Sequence, residues 1–171
     1  MAKKDEISLF EMQKANKPSI KDICEIILTD HGLKKGMDRL LELSRELKMK
    51  PCWTHTNTYN CSYKGKRVVN YGVGRGDRWE ENWLNIRVCT AEKGDLDNFL
   101  QELPDEMQNE YINNLQCTRC GGCGPINLKI LGRHYNVCWK TGYGHLRPTA
   151  EQFEWIERFI FARREYIKSI T

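Results

Sequence analysis

The sequence predicts an α+β fold: an antiparallel sheet of about five strands, packed with N-terminal, middle and C-terminal helices. Three observations predict it. Apolar residues recur three and four apart before residue 50 and again after residue 149, the spacing of one helix face. Between these segments the chain is rich in Thr, Tyr and Val and alternates with a period of two. Glycine-containing pairs separate alternating runs at two places, as tight hairpins demand. Helical and extended stretches come in blocks, an arrangement of α+β proteins rather than of a parallel sheet.

Each element follows from local chemistry. Ser19 is placed to cap "IKDICEIIL", whose Ile20, Ile23, Ile26 and Ile27 mark an amphipathic helix. Asp30 and Gly32 interrupt that pattern, and "LKKGMDRLLELSRELKM" resumes it until Pro51. From Pro51 the extended texture begins, with Lys64-Gly65 as the turn between two runs and "NWLNIRVCT" as a third. Leu84, Ile86 and Val88 then face the core, while Trp83, Asn85, Arg87 and Cys89 face the other way. "LDNFLQEL" is a short helix, and Pro104 opens the next, "DEMQNEYINNL", because a first helical turn does not need its N–H. A second hairpin, "INLKIL" and "HYNVCW", flanks Gly132-Arg133. "KTGYGHLRP" reads as a loop. Thr149 and Gln152 form a capping box for the last helix, which buries Phe153, Ile156, Phe159, Ile160 and Ile167. The expected sheet is therefore two hairpins plus one strand. The chain reads as one domain, 1–171, with a helical part over 1–50 and the sheet, cysteine loop and last helix over 51–171.

Composition narrows the function classes. The chain has 171 residues, 40% hydrophobic and 29% charged, which suits a globular protein with its own core. A net charge of +4, spread along the chain, gives no basic run and disfavours nucleic acid as a partner. No apolar stretch approaches the length of a membrane span. The opening "MAKKDEISLFEMQK" lacks the apolar core of a secretory signal, so the expected compartment is the cytoplasm, where thiols stay reduced.

Eight cysteines in such a compartment direct attention to metal or redox chemistry. Three of them, Cys117, Cys120 and Cys123, fall in "CTRCGGCG". Two consecutive Cys-x-x-Cys turns converge sulfurs on one point, and zinc takes four such ligands in a tetrahedron. The fourth is expected to be Cys138, because the hairpin returns it towards Cys123; His134 ranks second and Cys89 third. The alternatives are an iron–sulfur cluster, which uses the same spacing, and a thiol–disulfide switch at Cys120 and Cys123. Against the latter, a strand follows the motif where redox proteins place a helix. Cys24 and Cys61 read as core residues, and Cys52 as a neighbour of a strand start.

Other features point less sharply. Gly72, Gly74 and Gly76 in "GVGRGD" are followed by no helix, so they do not form a phosphate loop. The aromatic strand faces suggest a small-molecule site, with Trp53, His55, Trp83 and Arg87 as its candidate residues. Ordinary strand packing is the competing explanation for those aromatics. No nucleophile–base spacing supports an enzyme.

Three segments, "MKPCWTHTNTYNCSYKGKRVV", "CTRCGGCGPINLKILGRHYNVCW" and "RPTAEQFEWIERFIFARREYI", resemble a group of small uncharacterised bacterial proteins. Those share a Lys-Pro-x-Trp opening, a Tyr-Lys-Gly-Lys hairpin, a Cys-x-x-Cys-x-x-Cys loop and a later Val-Cys. The resemblance spans roughly residues 37 to 171 and implies no activity. It does imply that Cys117, Cys120, Cys123 and Cys138 belong to one set. Together these observations lead us to expect a structural zinc site.

Overall fold

The computed structural model describes residues 9–75, 80–89, 95–116, 126–137 and 142–171. Its helices are α1 (Leu9–Asn16), α2 (Ile20–Ile27), α3 (His31–Glu46), α4 (Asp95–Gln101), α5 (Asp105–Leu115) and α6 (Ala150–Ser169). Its strands are β1 (Cys52–His55), β2 (Thr58–Tyr63), β3 (Lys66–Val73), β4 (Leu84–Cys89), β5 (Ile126–Ile130), β6 (Arg133–Val137) and β7 (Gly142–Leu146). Five strands form one antiparallel sheet in the order β1-β2-β3-β4-β7, and β5 and β6 form a separate two-stranded sheet. The fold is α+β.

The sheet has the expected number of strands but different members. The run from Cys52 to Tyr63 is two strands, because Asn57 takes a left-handed backbone (φ 57°) and turns the chain back on itself. The second hairpin stays apart, and the stretch read as a loop supplies β7. Its glycines explain the misreading. A β-carbon on Gly142 would lie 2.9 Å from the carbonyl oxygen of Val88, and one on Gly144 2.8 Å from that of Ile86. These glycines allow a close strand approach; they do not mark a flexible connection.

Turns and caps follow the local chemistry closely. Lys64 and Gly65 both have positive φ, 45° and 77°, the backbone of a type I′ hairpin turn. The second turn sits one residue earlier than expected: Leu131 (φ 48°) and Gly132 (φ 79°) form it, and Arg133 already pairs with Ile130. Ser19 Oγ accepts from the Asp22 N–H at 3.2 Å. Asp30 both ends one helical pattern and caps α3, its Oδ1 accepting from the Leu33 N–H at 2.8 Å. The Thr149–Gln152 capping box closes in both directions, at 3.3 and 2.9 Å.

The helices form one layer on one sheet face. Tyr59, Tyr71, Ile86, Val88 and Tyr143 are buried on that face. Ser44 of α3 bonds the Tyr71 hydroxyl at 3.2 Å, and Gln13 of α1 accepts from Trp53 Nε1 at 3.0 Å. Tyr111 of α5 and Phe159 of α6 pack at a tilt against Tyr143, and Phe99 of α4 meets Tyr111 edge-on. Ile27 of α2 lies over Gly74. The buried stripe of α6 is the expected one with an unexpected member, Arg163, which is 1% exposed and pairs with Asp95 at 3.2 Å. No described helix is long and apolar enough to cross a membrane.

Candidate functional site

Cys117, Cys120, Cys123 and Cys138 lie outside the described residues, but Gln116, directly before Cys117, and Val137, directly before Cys138, lie within them. Val137, at the end of β6, pairs with Ile126 of β5 and also forms an antiparallel bridge with Gln116, just beyond the end of α5. Both chain ends of the cysteine segment are thus fastened to one residue. Val137 and Ile130 are fully buried, whereas His134 and Asn136 are exposed, so β6 alternates as a half-buried strand should.

The other candidate ligands for a metal are placed differently. His134 sits beside the turn, paired with Lys129, and its Nδ1 lies 2.6 Å from Asn127 Oδ1. Cys89 ends β4 in the main sheet, opposite Gly142. Burial raises its thiol pKa, while the Arg67, Arg87 and Arg163 guanidiniums oppose that shift. Cys24 and Cys61 are buried, and desolvation pushes both thiols up to about 12, which leaves them protonated and inert at neutral pH. Among the described residues no three His, Cys, Asp or Glu side chains are grouped to hold a metal.

The four candidate ligand-binding residues do not converge. Trp53 faces the helix layer, its indole N–H bonded to Gln13. His55 is exposed at the end of β1, opposite Thr58. Trp83 and Arg87 lie on the other sheet face, four residues apart along one chain. Trp83 covers Gly72, where an added β-carbon would lie 3.0 Å from its Cζ3. With Arg75, Glu80, Leu146 and Arg147 it lines an open groove of about 470 Å³. Arg87 lies along the two glycines of β7, with its Cγ and Cδ 3.0 Å from a β-carbon built on Gly142. The aromatic cleft anticipated from sequence therefore splits between opposite sides of the sheet.

Two arrangements carried no sequence signal. A bulge in β3 sets two of its residues against one step of β2, between Cys61–Val69 and Ser62–Arg67. Val68 and Val69 are consequently both buried, and Arg67 comes out on the Arg87 face. The second is a polar cluster at the outer edge of β7. Tyr143 donates to Glu110 Oε1 at 2.7 Å, and Asn114 contacts His145 Nε2 at 3.2 Å. Burial lowers the His145 pKa, against the opposing pull of Glu110.

Comparison with family models, with curated proteins and with solved structures finds no match to this chain.

Proposed function

We propose that the protein carries a structural zinc ion held by Cys117, Cys120, Cys123 and Cys138. The observation that supports this is the double pairing of Val137. Gln116 immediately precedes Cys117, Val137 immediately precedes Cys138, and Ile126 follows Cys123 by three positions. Consecutive α-carbons are about 3.8 Å apart, so the chain tethers all these thiols to one neighbourhood. Four thiolates at ~2.3 Å from one ion need such convergence. His134 is a weaker fourth ligand because it sits at the far end of β6 with an asparagine partner.

Zinc would fix the Gly121-Gly122 segment against the hairpin and add its binding free energy to folding. Reduced thiols suit a cytoplasmic location. Elemental analysis of the purified protein is expected to return about one zinc per chain. Cys120→Ser is expected to lose both the metal and thermal stability. A metal-free preparation that unfolds no earlier than the zinc-replete protein would overturn the assignment. A brown preparation with visible absorption would replace zinc by an iron–sulfur cluster.

A further inference from the structure

The sheet has one face covered by helices and one to which no described helix is fastened. Pairing registers define the second face in rows. One row runs Thr58, Gly72, Asn85, Leu146; the next runs Asn60, Asn70, Arg87, Gly144. Beyond these, the bulge delivers Arg67 beside Cys89. These strand positions hold no carboxylate. Arg67 and Arg87 form no ion pair with any described residue, whereas buried Arg163 on the helical side has Asp95.

At the other end of the face the half-buried Trp83 ring lies over Gly72. Arg75 and Arg147 flank it and share a single acid, Glu80, at 3.9 and 3.3 Å. Among the described residues, four arginines thus stand against one carboxylate on a face lined with amides, although the whole chain carries only a mild net charge of +4. Folding concentrates positive charge that the sequence spreads out. Between the charges, the Asn70 side-chain nitrogen donates to Asn60 Oδ1 at 2.7 Å and to the Tyr59 carbonyl at 3.4 Å, which leaves the Asn70 side-chain oxygen and the Asn60 side-chain nitrogen with capacity for a further partner.

We infer that this face binds single-stranded nucleic acid. The arginines would track the phosphates, Trp83 would stack a base, and the asparagine row would meet base edges. Trp83, directly before β4, and Arg87 within it are separated by about 13 Å at the usual strand rise, room for more than one nucleotide. A face five strands wide suits splayed bases and is too broad to enter a duplex groove. This inference is independent of the zinc assignment.

The test is fluorescence anisotropy of the full chain with labelled oligothymidylate, oligouridylate and a DNA duplex. Single strands are expected to bind at low salt and the duplex more weakly, with any difference between the two single strands reporting the 2′-hydroxyl. Arg67→Gln and Arg87→Gln are each expected to reduce the slope of log affinity against log salt by about 0.7. Trp83→Leu is expected to weaken binding roughly five- to hundredfold, with Trp83→Phe retaining most of it. Lys35→Gln, on the exposed side of α3, is expected to change nothing. Circular dichroism of each variant confirms folding. Absence of binding at low salt, equal affinity for duplex, or affinity indifferent to the three face variants would each overturn the inference, as would displacement by an acidic peptide at lower concentration than by oligonucleotide.

Discussion

The side-chain amide of Asn114 closes both backbone groups of Gly144: it accepts from the Gly144 N–H at 3.0 Å and donates to the Gly144 carbonyl at 3.3 Å. A residue of α5 thereby acts as the next strand beyond β7, and that sheet edge is blocked against a neighbouring molecule. Asn114→Leu is expected to destabilise the protein by about 1–3 kcal/mol, the usual effect of orphaning buried polar groups. It should also promote association at high concentration. Urea unfolding and size-exclusion chromatography read the two effects. A stable, monomeric variant would show that the edge needs no such cover.

Gly36 sits where α3 crosses α6. A β-carbon there would come within 2.4 Å of the Phe153 ring. Helix propensity alone favours Gly36→Ala by about 1 kcal/mol, whereas overpacking costs about 1–3 kcal/mol. The clash is expected to win, so Gly36→Ala should lower the unfolding midpoint. Adding Phe153→Leu should recover part of the loss if the crossing is the cause.

Burial holds the His145 imidazole below its ordinary pKa, while Glu110 pulls in the opposite direction. The unfolded chain therefore takes up a proton that the folded chain resists. This contribution to stability is complete above about pH 6.5 and is lost as the pH falls from there through the lower folded value. Protonation also turns Nε2 into a donor, which removes its ability to accept from Asn114. Thermal midpoints measured between neutral and mildly acidic pH should fall more steeply for the native chain than for His145→Gln. Parallel curves would remove His145 from the acid response.

Arg163 is the most deeply buried charge described, held by Asp95 from the start of α4 and lying 5.5 Å from the Phe99 ring centroid. Tyr166 also donates its hydroxyl to Asp95. Removing the carboxylate alone strands a guanidinium in the core. Asp95→Ala is expected to cost about 3–5 kcal/mol and Arg163→Met substantially less, because the second variant removes the charge itself. The order of the two losses in urea unfolding is the test.

Much of the architecture was legible because it is written in short-range chemistry. Ser19, Asp30 and Thr149 announce helix starts, Lys64-Gly65 announces a turn, and the alternation through Leu84, Ile86 and Val88 assigns the faces of β4. What escaped the sequence depends on distant partners. Gly142 and Gly144 look like loop residues until β4 is brought beside them. Asn57 is unremarkable until its positive φ is seen. Arg67 changes face only because a bulge inserts one extra residue. Pairing of Gln116 with Val137 is likewise invisible in either segment alone. The proposed ligand residues separate for the same reason: Trp53 lies in β1 and Trp83 just before β4, and only the packing of one against α1 and of the other over Gly72 puts them on opposite sides.

Seating β7 has a consequence for how the chain reaches its final state. Val88 and Tyr143 pair although about 55 residues separate them, whereas β1 to β3 are joined by two-residue turns. Loop-closure entropy therefore favours the meander first and the far edge strand late. During that interval β4 offers an unpaired ladder, and a second molecule carrying the same Gly142–Leu146 segment can occupy it. Refolding at high concentration is thus the condition under which strand exchange between copies is expected.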